Sequence, residues 1–128
     1  MGSYSFGKTV DMDFEQALER VTQALAKEGF GLLSDIDVTA TLKKKLGMEM
    51  PAYRILGACN PQFAHRALQA EPEIGTLLPC NVVVRRARGK TTVDIMDPLA
   101  VMELVGKPEV AKIANEVRGR LKRVLAAL

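Results

Sequence analysis

Apolar residues recur along this chain with two different periods, and the changes between them mark its secondary structure. Weak two-residue alternation over Tyr4–Val10 predicts a first strand, and apolar positions at helical spacing begin at Phe14. Later apolar runs predict strands over Phe30–Ile36, Ala52–Ala58, Cys80–Arg86 and Thr91–Met96. Helical patterns predict long helices after Asp13 and Pro108 and a helix from Pro61. Short helices are predicted over Asp37–Gly47 and Leu99–Leu104, and Ile74–Pro79 is predicted to be an apolar loop.

Residues suited to helix ends and tight turns support these boundaries. Asp13 can accept a hydrogen bond from the free amides of the first long helix, and Gly29 supplies the left-handed residue that ends it. Asn60 followed by Pro61 is typical of a helix start. The segment Arg88–Lys90 is short enough for a hairpin, so the fourth and fifth strands are predicted to be antiparallel.

The order of elements predicts an α+β fold with a single antiparallel sheet. The predicted order is β-α-β-β-β-β-α with short inserted helices, and the two long helices cover one face of the sheet. With 128 residues and no internal repeat or linker, the chain is predicted to form a single domain over residues 1–128.

The relation between the third and fourth strands decides whether the chain can form one site. If these strands are antiparallel neighbours in a meander, Cys59 and Cys80 meet at one edge of the sheet. If a parallel crossover joins them instead, the two cysteines lie at opposite ends of their strands, about 20 Å apart. The hairpin alone does not choose between these topologies.

Composition narrows the class of protein. The hydrophobic fraction is 48% and the net charge is +3, which is typical of a globular domain, and no apolar run is long enough to span a bilayer. Aromatic residues make up only 5%, without the dense basic stripe of a nucleic-acid surface. We therefore expect no nucleic-acid partner, no membrane partner, and a cytoplasmic protein with reduced thiols.

The residues between the third and fourth strands carry the candidate chemistry. Cys59-Asn60-Pro61 ends one strand and Pro79-Cys80-Asn81 begins the next, so both cysteines of the chain lie here. With Asp97 at the end of the fifth strand, the meander would gather a candidate ligand site, and Ile74–Pro79 would form one wall. The candidate site residues are Cys59, Asn60, Cys80, Asn81 and Asp97.

The same residues also have purely structural interpretations. Free cysteines are often small buried hydrophobes. Asn60 can cap the helix that follows it, Asp97 can cap the short helix after Pro98, and Asn81 can bond to a neighbouring loop. The sequence does not separate these roles from ligand contact.

Two further chemistries are consistent with the cysteine pair. Cys59 lies just before a predicted helix N-terminus, which would lower its thiol pKa and allow a redox pair with Cys80. Alternatively, Cys59, Cys80 and His65, with Met96 as a further candidate, could bind copper(I), zinc or haem iron. No metal-ligand spacing such as CxxC is present, and no cofactor is specified by the residues.

Several segments together resemble a known bacterial and archaeal family. GFGLLSDIDVTATLKKKLG, YRILGACNP, EPEIG, LLPCNVVV and MDP are similar to those of the family called domain of unknown function 302, over about Tyr4 to Leu128. The resemblance implies an antiparallel sheet similar to that of the TATA-binding-protein-like fold, and often a homodimer. It favours the meander but implies no reaction.

These observations lead to three functional hypotheses. The first is a module that binds a small molecule at the site of Cys59, Asn60, Cys80, Asn81 and Asp97. The second is a sensor or enzyme that uses the thiols or a soft metal. The third is a homodimeric interaction module without pocket chemistry. No catalytic residue is predicted, because the chain lacks a phosphate-binding glycine loop and a nucleophile elbow.

Overall fold

The computed structural model describes residues 3–128 and contains five strands, five α-helices and one 3₁₀ helix. In chain order these are β1 (Ser5–Val10), α1 (Phe14–Lys27), β2 (Gly31–Asp37), α2 (Val38–Leu46), β3 (Tyr53–Cys59), α3 (Pro61–Ala70), the 3₁₀ helix (Pro72–Leu77), β4 (Cys80–Ala87), β5 (Lys90–Met96), α4 (Pro98–Met102) and α5 (Pro108–Ala126). The predicted α+β order is therefore confirmed.

All five strands form one antiparallel sheet in the order β1-β5-β4-β3-β2. Strands β2 to β5 are the predicted meander, and β1, whose neighbour the sequence did not indicate, adds to the far side of β5. Ala58 pairs with Cys80 across β3 and β4, so the crossover topology is excluded.

Alternation along the central strands separates two faces of the sheet. Val82 and Val84 of β4 and Val93 and Ile95 of β5 are fully buried, whereas the residues between them are only half-buried. The buried side packs against the apolar stripes of α1 and α5, with Leu25 and Leu121 among the most deeply buried side chains. The two long helices thus seal one face, as the helical periodicity predicts.

Most predicted element ends are found within one or two residues. Asp13 accepts a hydrogen bond from the Gln16 amide (2.8 Å) at the start of α1, and Gly29 follows this helix with a φ of 87°. Asp37 caps α2 in the same way, through the Ala40 amide (2.9 Å). In the hairpin, Arg88 and Gly89 both have positive φ, as a tight two-residue connection requires.

Two local predictions differ from the structure. Most of the predicted apolar loop at Ile74–Pro79 belongs to the 3₁₀ helix, which begins at Pro72 because Glu71 accepts a hydrogen bond from the Glu73 amide. The helix expected over Leu99–Leu104 spans Pro98–Met102 instead. Within residues 3–128, none of the helices combines the length and apolarity needed to cross a membrane.

Candidate functional site

A small apolar cleft lies where β3 ends and β4 begins, on the helical side of the sheet. Its volume is about 50 Å³. Residues of α3, α4, α5 and the 3₁₀ helix line it together with the strand ends, and nearly all of these side chains are hydrocarbon. The predicted wall is present, since Ile74, Leu78 and Pro79 line the cleft.

The cleft contains both cysteines. Cys59 is the last residue of β3 and half-buried, whereas Cys80 is the first residue of β4 and buried. Both thiols are free. Ala58 is the direct partner of Cys80, so Cys59 lies one residue beyond it at the end of the adjacent strand. Strand alternation alone would turn Cys59 to the other face, yet at this strand end it lines the cleft. Both cysteines therefore lie at the same edge of the sheet, as the antiparallel topology predicts.

The electrostatics of the thiols differ from the prediction. Burial raises the pKa of Cys59, so the predicted lowering at the start of α3 is wrong. Burial also raises the pKa of Cys80 to about 11, and repulsion from a Cys59 thiolate adds to this shift. Removal from water disfavours the charged form of a thiol, and it is the main cause of the shift at both cysteines. Both thiols are accordingly protonated at neutral pH.

Asn60 lines the cleft but does not cap α3 with its side chain. Its amide nitrogen instead donates to the carbonyl oxygen of Glu28 at the end of α1 (3.3 Å). The same carbonyl accepts from Arg120 of α5 (3.1 Å). The predicted capping role of the Asn60 side chain is thus wrong, and the first amides of α3 lack a side-chain acceptor from it.

Asn81 and Asp97 do not line the cleft. Asn81 follows Cys80 in β4, so its side chain lies on the opposite face of the sheet, where it is exposed. Asp97 accepts a hydrogen bond from the Leu99 amide (3.0 Å) and pairs with Arg118 (3.1 Å). The capping role of Asp97 is the structural interpretation that the sequence offered beside ligand contact. Neither the cap nor the ion pair with Arg118 directs the carboxylate into the cleft.

The other predicted metal ligands also lie apart from the cleft. His65 is exposed on α3, and Met96 lines a depression on the opposite face of the sheet. In the part of the chain from residue 3 onward, no three His, Cys, Asp or Glu side chains are grouped so that they could hold a metal ion. The set Cys59, Cys80 and His65 is therefore not assembled.

Sequence reasoning missed the contribution of α4 and α5 to the cleft. Met102 lines the cleft and is buried, and so are Val110 and Ile113 of α5. One signal was available: Pro98 and Met102 are four residues apart, so a helix after Asp97 places both on one face. Which face packs against the sheet depends on tertiary contacts that the pattern does not specify.

Comparisons with known proteins agree with this architecture. The family model described as "Domain of unknown function DUF302" matches residues 6–128. A crystal structure of an uncharacterized conserved DUF302 protein from Bacillus stearothermophilus is similar, with a TM-score of 0.92 and 30% identity over 98% of each chain. A comparison with curated proteins found no match. The chain belongs to the DUF302 family.

Proposed function

We propose that this domain binds a small ligand in the cleft where β3 ends and β4 begins. The observation that carries the proposal is the cleft itself, which contains Cys59, Asn60 and Cys80 in an otherwise hydrocarbon lining. Ligand sites are typically concave and mostly apolar, with a few polar groups that orient the ligand. Asn60 and the thiols are the groups of that kind here.

The size of the cleft limits the ligand. Its volume of about 50 Å³ exceeds the roughly 10–15 Å³ that a cavity needs to hold one water molecule and is about a third of a roughly 150 Å³ protein cavity that binds benzene. A single large atom or a methyl-sized or ethyl-sized group fits. A larger ligand would insert only such a group and leave its remainder at the mouth, beside the half-buried Cys59 and Asn60.

Amide chemical shifts of the full chain during titration with xenon test the proposal. We expect saturable shifts confined to residues that line the cleft. Ala64→Leu should abolish them, because Ala64 is half-buried in the lining and a larger side chain occupies the space. The matched control is Ala40→Leu on α2, which is exposed and should leave the shifts unchanged. Shifts that do not saturate, or that survive Ala64→Leu, would contradict the proposal.

A thiol-based redox function has less support than ligand binding. A redox thiol needs a lowered pKa, and burial raises the pKa of both cysteines. We propose that the thiols act as part of the lining rather than as nucleophiles. A cytoplasmic location fits this proposal, because thiols stay reduced there.

A second candidate is homodimer formation, and the face of the sheet opposite the long helices favours it. Tyr53, Ile55 and Val83 are half-buried on this face, next to the ion pair in which Arg85 donates to Asp94 (2.8 Å). In a twofold-symmetric dimer, the positive charge of one copy can lie opposite the negative charge of the other copy, and the reverse. The charge pair and the apolar surface together support a second copy of the chain as the partner of this face.

Sedimentation velocity of charge-reversal variants tests the dimer. We expect the parent to be dimeric, and Arg85→Asp and Asp94→Arg each to be monomeric, because each places like charges across the twofold axis. Mixing the two variants should restore dimers, since their charges are then opposite. Lys44→Asp, an exposed change on α2, is the control and should remain dimeric. A monomeric parent, or a mixture that stays monomeric, would refute the second candidate.

A further inference from the structure

Three sulfur-bearing side chains line the cleft. Cys59 and Cys80 lie at adjacent strand ends, and Met102 comes from the last residue of α4. The rise along a strand and the spacing between strands place the α-carbons of Cys59 and Cys80 about 6 Å apart. The other polar group in the lining is the Asn60 amide, which already donates to Glu28. Sulfur is therefore the main ligand chemistry that the cleft offers.

We propose that the cleft is a binding site for copper(I), held by the thiolates of Cys59 and Cys80 and the thioether of Met102. This inference rests on the proposed function, because it assigns the ligand of the same cleft. Thiolate and thioether ligands favour copper(I) over harder divalent ions. Zinc would need four ligands, and residues 3–128 contain no group of three His, Cys, Asp or Glu side chains suited to a metal.

The size and polarity of the cleft also suit copper(I). A volume of about 50 Å³ is ample for one bare copper(I) ion. The lining is hydrocarbon apart from Asn60 and the sulfur atoms, so sulfur is the main donor that the cleft offers. Cys59, which is half-buried, lies nearer the solvent than Cys80 and Met102, which are buried, so it is the first sulfur that an entering ion meets.

Charge and protons balance in this site. Each cysteine gives its thiol proton to solvent as its sulfur binds, and copper remains in the +1 state, so no oxidant or reductant is needed. Two thiolates around one copper(I) leave one negative charge. The start of α3 at Pro61, directly after Asn60, supplies partial positive charge from amides that the Asn60 side chain does not cap.

Titration of the reduced full chain with copper(I), in anaerobic competition with a chromophoric copper(I) chelator, tests the site. We expect one copper(I) per chain and an X-ray absorption spectrum in which copper has only sulfur neighbours. Copper should also protect both cysteines from alkylation. Nitrogen or oxygen neighbours, or binding without protection of both thiols, would overturn the proposal.

Variants identify the ligands. Cys59→Ala and Cys80→Ala should each weaken copper(I) binding more than about 100-fold, beyond the usual effect of changes outside the ligand shell. Met102→Leu conserves volume, and it should both weaken binding and reduce the number of sulfur neighbours of copper from three to two. Met96→Leu, on the opposite face, is the control and should bind like the parent. Parent-like affinity in either cysteine variant overturns the site, and parent-like affinity in Met102→Leu removes the thioether from it.

The xenon titration separates failure of this inference from failure of the proposed function. If xenon binds in the cleft and copper(I) does not, the cleft is a ligand site and the copper assignment is wrong. If neither binds, both are wrong. If Cys80→Ala fails to fold, which circular dichroism would show, the sulfur count in the spectrum of the parent still decides the assignment.

Discussion

Gly57 shows how a single residue shapes the strand end that leads to the cleft. It lies in β3, two residues before Cys59, and a β-carbon built there would come 2.8 Å from Pro79 Cγ and into the space of Ser34 Oγ. Real β-carbons essentially never approach other atoms so closely. The absence of a side chain therefore lets β2 and the segment before β4 close around β3.

We expect Gly57→Ala to destabilise the protein by about 1–3 kcal/mol, because the added methyl group must displace Pro79 or Ser34. Urea unfolding followed by circular dichroism measures the change. The matched control is Gly31→Ala in β2, where a β-carbon would meet nothing within 4 Å. A loss at Gly57 no larger than that at Gly31 would show that the contact relaxes without cost.

The thiols give a second prediction at this scale. Because burial raises the pKa of Cys59, and of Cys80 to about 11, the reactive thiolate is scarce at pH 7. Both cysteines should react with iodoacetamide more slowly than a free thiol, Cys80 the more slowly, and both rates should rise as the pH increases towards each pKa. Peptide mapping by mass spectrometry measures the rates. Reaction of Cys59 faster than a free thiol at pH 7 would revive the redox hypothesis.

At the scale of elements, the sequence indicated where most helices and strands begin, because caps and hairpin residues act locally. Asp13, Asp37 and Asp97 each accept a hydrogen bond from an amide at the start of the predicted helix. Asn60 is a comparably good capping residue at the same kind of position, yet its side chain bonds to Glu28. That carbonyl is distant in sequence, so a local rule does not reveal it.

Asp97 combines a cap with an ion pair, and substitutions separate the two. Asp97→Asn keeps an acceptor for the Leu99 amide but loses the charge that pairs with Arg118, so it should cost less than about 1 kcal/mol. Asp97→Ala loses the cap as well and should cost about 0.5–2 kcal/mol more. Thermal unfolding measures both changes.

The control for this comparison is Asp13, which caps α1 through the Gln16 amide and has no ion pair in the described part of the chain. Asp13→Asn should be nearly neutral, because asparagine and aspartate are equally good caps. If Asp97→Asn is as harmless as Asp13→Asn, the pair with Arg118 does not contribute to stability.

At the scale of the whole molecule, the sequence specified the α+β order and the cysteine edge, but not how the helices meet above it. The basic residues of α5 illustrate the limit. As a pattern they indicate only a charged face, yet Arg118, Arg120 and Arg123 each contact a partner in another part of the chain, namely Asp97 and Glu28. These partners are 21 to 95 residues away in sequence. Asn81 lies outside the cleft for a different, local reason, since strand alternation places it on the face opposite Cys80.

The end of α1 joins three helices and yields a prediction for the whole fold. The Glu28 carbonyl accepts from Asn60, just before α3, and from Arg120 of α5. Either donor alone satisfies this part-buried oxygen, so Asn60→Ala and Arg120→Gln should each be mild. Together they leave it without a donor among residues 3–128, and the double variant should lose about 1–3 kcal/mol more than the sum of the single changes.

A matched double-mutant cycle separates the effect of packing on the Phe63 ring from the effect of the shared Glu28 carbonyl. Arg120 lies over the Phe63 ring at 5.3 Å, and Arg66 lies over the same ring at 5.5 Å without contacting Glu28. Asn60→Ala combined with Arg66→Gln should therefore be additive within about 0.5 kcal/mol, whereas the cycle with Arg120 should not. Urea unfolding of all variants gives both coupling energies. Equal coupling energies in the two cycles would mean that Phe63, rather than the shared carbonyl, connects these helices. The orientation of α3 beside the cleft would then depend on packing against that ring.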